Sequence, residues 1–388
     1  MSEAVNIPQL RFPEFSGEWK VANLGELTHL ITKGTTPNNF SDKGINFVKI
    51  EGLNGIHIKK EKCLFIDEFT HSNTLRRSML KECDILFAIA GATVGKIGLV
   101  TAEILPANTN QALAIIRLKD KEYLNYILQI LKSRVMKKYI YSSVSVGAQP
   151  NLSLKQINDF SFALPGVLEQ QKIAVFLTSV DNKIEQLSKK QALLGEYKKG
   201  VMQQIFSQAI RFKADDGSAF PDWEENKLGD VGKVYQPKTI SQTDLTTKGF
   251  DVYGANGIIG KYSEYNHEFE QIAVTCRGNT CGTVNFTKPK SWITGNAMVV
   301  NVDDSKVVNK TFIYYQLSHT NLTYLITGSG QPQITGDIKT HKVKTPSLPE
   351  QTKIANFLSS IDSKIEQVGK QLDESKQFKK ALLQQMFV

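Results

Sequence analysis

The chain has 388 residues, room for two or three domains that each bury a core of their own. Its 41% hydrophobic and 22% charged residues are those of a soluble globular protein, and no apolar run approaches the roughly 18 residues of a membrane span. A formal charge of +9 fits a nucleic-acid partner without requiring one; residues 1–160 hold 20 basic and 15 acidic side chains, residues 211–348 hold 15 and 14.

The opening stretch has no basic region followed by an apolar block, so the cytoplasm is the expected compartment. Two similar units then follow in order. The first begins with Arg11-Phe12-Pro13-Glu14-Phe15, Trp19 and Leu24-Gly25-Glu26-Leu27; the second with Phe220-Pro221-Asp222-Trp223 and Leu228-Gly229-Asp230-Val231. Inside each, an apolar strand runs into a glycine turn and out into a second strand: Asp84 to Ala90, then Gly91 to Gly95, and Ile272 to Arg277, then Gly278 to Gly282. A further strand opens at Asn110 or Asn296, and amphipathic helices follow over Tyr123 to Tyr139 and Phe312 to Leu325. Gly147-Ala148-Gln149-Pro150 in the first unit answers Gly330-Gln331-Pro332 in the second.

Each unit ends in a long helix, and the two helices repeat one another. Lys172-Ile173-Ala174 falls on Lys353-Ile354-Ala355 and Lys183-Ile184-Glu185-Gln186 on Lys364-Ile365-Glu366-Gln367, at a constant offset of 181 residues. Apolar residues recur every seven: Ile173, Val180, Leu187, Leu194 and Val201 in one row, with Leu177 and Ile184 beginning a second. The later copy repeats this with Ile354, Ile361, Val368 and Leu382, and with Leu358, Ile365 and Leu372. That is coiled-coil spacing, and these positions are read as the helix–helix and partner interface. About 40 residues at about 1.5 Å each make a rod near 60 Å. The polar connector from Ser207 to Phe220 spans at most roughly 43 Å. The second helix is therefore expected to return antiparallel, bringing the two ends of the chain together.

Chemistry-bearing motifs fail on inspection. Gly91-Ala92-Thr93-Val94-Gly95-Lys96 is one residue short of a phosphate loop and is followed by Ile97, not Ser or Thr. Asp222, Glu225 and Lys227 mimic a metal-dependent nuclease, but residues so close in sequence cannot bring both carboxylates to one metal. The four cysteines and six histidines are scattered, and neither a disulfide framework nor a zinc site is expected. No catalytic residue, metal site or cofactor is assigned to this chain.

The two openings, the Lys33-Gly34-Thr35-Thr36-Pro37 loop, the Gln-Pro loops and the duplicated run, from Leu164-Pro165 to Glu185 and from Leu348-Pro349 to Glu366, together resemble the specificity subunit of Type I restriction-modification systems, over essentially the whole chain. The resemblance implies an α+β fold: two similar target recognition domains of mixed β-sheet with helices, separated by a long antiparallel two-helix coiled coil, with an internal pseudo-two-fold repeat. The domains are placed at 1–163 and 211–347, the spacer helices at 164–210 and 348–388. It implies a double-stranded DNA partner, each domain reading half of a split site while the helices set the gap. It further implies two modification subunits using S-adenosylmethionine to methylate adenine, and restriction subunits using ATP and magnesium. A stand-alone DNA-binding regulator is the alternative.

On polar character and loop position, DNA contacts in the first domain are expected from Lys33, Thr35, Thr36, Arg76, Arg77, Lys96, Asn108, Asn110, Gln149 and Asn151. Those in the second are expected from Tyr253, Asn256, Arg277, Asn279, Asn296, Gln331 and Gln333.

Overall fold

The computed structural model describes residues 7–143, 150–255, 257–328 and 331–388. The chain divides into two compact units: Met1–Ser188 with Gln371–Val388, and Lys189–Lys370.

Unit 1 is built on a four-stranded antiparallel sheet of β1 (Thr28–Lys33), β2 (Ile85–Ala88), β3 (Ile97–Leu99) and β4 (Leu113–Leu118), ordered β1-β4-β2-β3. The glycine-turn reading holds: Gly91 (φ 74°) and Gly95 (φ 91°) take the left-handed conformation that lets β2 turn into β3. A smaller sheet pairs Ile45–Val48 antiparallel with Leu64–Ile66 and parallel with Ala107–Thr109. The helix expected over Tyr123 to Tyr139 is broken into α1 (Leu124–Lys132) and α2 (Arg134–Ser143). The cause is Ser133, which is extended (ψ 172°) and whose hydroxyl accepts a bond from Val135 N at 3.1 Å, as an N-terminal cap does. α3 (Val167–Phe206) follows.

Unit 2 repeats the plan. Its sheet contains β5 (Lys233–Tyr235), β6 (Ile272–Thr275), β7 (Val284–Phe286) and β8 (Ala297–Asn301), ordered β5-β8-β6-β7, again antiparallel. Here Gly278 (φ 82°) and Gly282 (φ 92°) make the turn. The smaller sheet pairs Phe250–Gly254 antiparallel with Gly257–Tyr262 and parallel with Trp292–Ile293. α4 (Lys310–His319) packs on the main sheet, and α5 (Leu348–Gln385) closes the chain.

The seven-residue rows are buried chiefly by the domains. Ile173, Leu177 and Leu382 belong to the core of unit 1, with Val180 against it; Val201, Ile354, Leu358 and Ile361 belong to that of unit 2, with Ile365 against it. Leu187, Val368 and Leu372 are buried outside these clusters, while Ile184 and Leu194 are half-buried. In unit 1 the end of α5 and the residues just past it enter the core: Phe387 lies 5.7 Å, ring to ring, from fully buried Tyr126, and Leu10 N donates to Gln385 O.

Ion pairs repeat at the same offset as the sequence. In unit 1 Asp181 of α3 receives Lys379 of α5, together with Lys132 at 2.7 Å. In unit 2 Asp362 of α5 receives Lys198 of α3 at 2.5 Å, together with the Tyr315 hydroxyl at 2.6 Å. Within unit 2, Gly369 approaches Gln191 while Asp362 meets Lys198, so α3 and α5 run antiparallel there. At the other end of each pairing, Glu169 takes both Arg11 nitrogens at 2.7 Å and the Trp19 indole at 3.1 Å, and Glu350 takes Arg211 at 2.8 and 3.1 Å. Phe12 stands edge-on to Phe176 as Phe212 does to Phe357. The counterpart of Arg11-Phe12 is thus Arg211-Phe212, not the Phe220 stretch suggested by sequence. Likewise Pro165, whose carbonyl caps Gln170, corresponds to Pro346, which caps Gln351, rather than to Pro349.

Candidate nucleic-acid interface

Strand direction gathers the expected contacts of unit 1 at one end of its main sheet. β1 ends at Lys33 opposite Ala114 near the start of β4, and β2 ends at Ala88 opposite Leu113. Beyond those ends, Gly34 N donates to Leu113 O and Thr35 N to Thr109 O, so Lys33, Thr35 and Thr36 form a loop over the sheet edge. Gly34 is required there, since a Cβ would come within 2.0 Å of Thr109 O. The glycine turn is tied down from its far side by Gly91 N to Pro150 O at 2.8 Å and Leu152 N to Ile89 O at 2.9 Å, which sets exposed Asn151 beside it. Lys96 is exposed where the turn closes. Asn110 is half-buried and spends its side-chain oxygen on Ala112 N, while Thr36 is bonded to Gln111.

The same bonds recur in unit 2. Gly278 N donates to Pro332 O at 3.1 Å and Ile334 N to Cys276 O at 3.0 Å, and Gln333 bridges Arg277 as Asn151 bridges Ala90. Arg277, Asn279, Gln331 and Gln333 are exposed on this end, with Asn296 half-buried at the start of β8. Because Cys276 N bonds Asn296 O where Ile89 N bonds Ala112 O, Asn296 corresponds to Ala112 and not to Asn110.

Two expected contacts are framework residues instead. Asn108 is wholly buried, donating to Leu75 O and Ser78 Oγ and facing His71 Nδ1 at 2.5 Å; it holds the short turn Arg76–Ser78, on which Arg76 and Arg77 are exposed. Tyr253 is 6% exposed, and its hydroxyl accepts from Lys288 N at 3.1 Å. Both sit on strands of the smaller sheets that are covered on both faces: Ala107, Asn108 and Thr109 are all buried, as are Val252, Tyr253 and Gly254. Gln149 and Asn256 lie outside the described residues, as do Gly147, Ala148 and Gly330.

One segment escaped sequence reasoning. Tyr235 faces Val299 as Thr32 faces Ile115, so Gln236, Pro237, Lys238 and Thr239 occupy in unit 2 the place of the Lys33 loop. Lys238 and Thr239 are exposed, and Gln236 bonds Gly295 O. The available signal was distance after Leu228-Gly229-Asp230, since residue identity is not kept.

The backbone around the two sites is held by matching bonds, and the tips differ. Ala90, Ala92 and Val94 of unit 1 stand where unit 2 has Arg277, Asn279 and Cys281. Arginine offers a bidentate donor fork suited to guanine or phosphate, and asparagine a donor–acceptor pair suited to adenine. Among the described residues no group of three or more His, Cys, Asp or Glu is placed to hold a metal ion, no helix is long and apolar enough to cross a membrane, and the four cysteines are unpaired.

A family model described as the Type I restriction modification DNA specificity domain matches residues 16–194 and 221–375. The putative type I restriction enzyme MjaX specificity subunit of Methanocaldococcus jannaschii is 24% identical, over 97% of this chain and 95% of that one. The MjaVIII specificity subunit of the same organism is also 24% identical, over 96% and 92%. Among solved structures, the S subunit of a Type-I restriction-modification system from M. genitalium is similar in fold at a TM-score of 0.66 and 16% identity, covering 98% of this chain and 99% of that one. A chain from a structure on complex assembly and conformational transition of the type I R-M system gives 0.55 at 16% identity, over 94% and 96%.

Proposed function

Because the chain belongs to the Type I restriction-modification DNA specificity family, its role is DNA sequence recognition, and we propose that each unit reads one half of a split, asymmetric site with the loops beyond its four-stranded sheet. The observation that carries this is the repetition of one scaffold, bond for bond, beneath unlike tips. Identical frames place their loops alike on the duplex, whereas different side chains at those tips demand different bases. In unit 1 the reading set is Lys33, Thr35, Thr36, Lys96, Asn110 and Asn151, with Arg76 and Arg77 beside it. In unit 2 it is Lys238, Thr239, Arg277, Asn279, Gln331 and Gln333, with Asn296.

The chain supplies no bond-making step. It presents the correct adenine to modification subunits, which carry S-adenosylmethionine and must turn that base out of the stack. Restriction subunits that use ATP and magnesium join the same assembly. α3 and α5 act as the ruler between half-sites and as the docking surface for the modification subunits.

The test is to map methylated adenines produced by the chain together with its modification subunits and S-adenosylmethionine. Arg277→Ala with Asn279→Ala should relax or change one half of the preferred site and leave the other half intact. An assembly that methylates no sequence preferentially, or a double variant that alters both halves together, refutes the reading.

A further inference from the structure

Unit 1 carries a basic pocket away from its reading loops. It lies between α1–α2 and the C-terminal part of α5, with a volume of about 670 Å³, and none of its lining residues is acidic. Its floor is formed by Lys132 and Lys379, each with a side chain only 18% exposed, which approach Asp181 from two elements. One carboxylate thus serves two ammonium groups, and burial pushes the Lys132 ammonium down. Around this floor stand Arg134, Lys137 and Lys138 from α2 and Lys380 from α5, all exposed and without an ion pair among the described residues. Lys376 reaches Asp373 only at 3.9 Å. So much uncompensated positive charge around a concavity favours a multiply charged anion, and the Arg fork among point-like ammonium groups suits phosphate oxygens.

Two further observations narrow the ligand. First, unit 2 has a pocket at the corresponding framework place, lined by Gln203 where unit 1 has Gln384, but it presents Gln316, His319 and Thr320 there, with two lysines, Lys344 and Lys342, the latter paired with Glu225 at 2.7 Å. The dense cluster of seven basic residues is therefore a property of unit 1 and not of the shared scaffold. Second, α2 leads from the pocket to the reading end: a Cβ on Gly95, in the glycine turn, would come within 2.9 Å of Ile140. The ten residues of α2 span about 15 Å, roughly four phosphate steps along one strand of a duplex. Tyr141, 84% exposed, also lines the pocket.

We propose that this pocket anchors the phosphodiester backbone of DNA flanking the half-site read by unit 1, without regard to base sequence. The inference rests on the recognition role above and makes the grip asymmetric, since the unit 2 pocket offers two lysines against seven basic residues in unit 1.

The experiment uses the full chain with its modification subunits and measures affinity for a preferred and a scrambled duplex across a salt series. Lys137→Gln, Lys138→Gln and Lys380→Gln are combined, three exposed positions whose neutralisation leaves the core untouched. The slope of log affinity against log salt should fall by about 0.9 for each lost phosphate contact, near 3 in all, equally for both duplexes. Their affinity ratio should not change. An unaltered slope overturns the proposal, as does a loss confined to the preferred duplex. Saturable ATP binding that the triple variant abolishes while the slope stays fixed assigns the pocket to a free nucleotide instead. Weaker capture of the modification subunits with an unaltered slope assigns it to an acidic protein surface. Should the unmodified assembly show no preference between duplexes, the recognition role fails; preference kept with an unaltered slope sinks only the anchor.

Discussion

Phe387, the penultimate residue, tests whether α5 completes the first unit. It is 6% exposed, packs on Tyr126, and shares a cluster with Leu382 and Met386. Removing a buried phenyl group costs about 3–5 kcal/mol through lost transfer energy and the cavity left behind. Since the ring is 6% exposed and not fully enclosed, the lower end applies: Phe387→Ala should cost about 3 kcal/mol, or about two orders of magnitude in an opening equilibrium. Hydrogen exchange followed by mass spectrometry localises the loss. Peptides from α1 should exchange faster by about that factor, while those from β6 and β8 keep their protection. Phe206→Ala is the matching change in unit 2, where Phe206 packs on Phe312, and it should act there alone and more weakly because Phe206 is only partly buried. Unchanged exchange in α1 after Phe387→Ala would refute the placement of Phe387 in this core.

Other outcomes follow from the buried charges and the helices. Glu169→Ala strands Arg11 and the Trp19 indole and should destabilise unit 1 by about 3 kcal/mol in urea unfolding, and adding Arg11→Ala should recover part of the loss. Burial holds the His267 and His341 imidazoles below their ordinary value of 6.5, so the unfolded chain binds protons that folded unit 2 does not. Stability is therefore full above that value and declines as pH falls through it; the melting temperature should drop between about pH 7.5 and 5.5, and less so in His341→Gln. Burial alone would raise Asp181, but its bonds to Lys132 and Lys379 leave it below 3.8, so this group adds to stability above that value and is lost only as pH falls further. Four residues inserted into each long helix, after Leu187 and after Val368, add about 6 Å of rise and should widen the preferred gap between half-sites by about two base pairs. An unaltered gap would remove the ruler role.

The long helices and their duplication were legible because an apolar seven-residue period over some forty residues has few other readings. What that period could not tell was which surface covers the seam. A helix against a domain core and one in a coiled coil share nearly the same spacing, so Ile173 and Leu358 look alike in sequence whether they face a sheet or a partner helix. The glycine turns were legible through Gly91, Gly95, Gly278 and Gly282, since a positive φ selects glycine. Asn108 and Tyr253 were misassigned because their strands are short and buried on both faces there, so no alternation of polar and apolar residues marks them as inward. The break at Ser133 was hidden because apolar periodicity continues across it, and the Lys238 loop was hidden because only backbone geometry, not residue type, is shared with the Lys33 loop.

The repeated salt links carry a consequence for ancestry. α3 supplies the acid, Asp181, to one link and the base, Lys198, to the other, while α5 supplies Lys379 and Asp362 in the reverse sense. A polypeptide ending after Phe206 would own both partners of the pair, along with Val201, Ile205 and Phe206 in the roles that Leu382, Met386 and Phe387 fill. Two copies of such a fragment are sterically equipped to complete one another as a symmetric homodimer. Sedimentation of residues 1–206 as a dimer would mark the present gene as a fused tandem whose halves were once interchangeable; a soluble monomer would speak against that history.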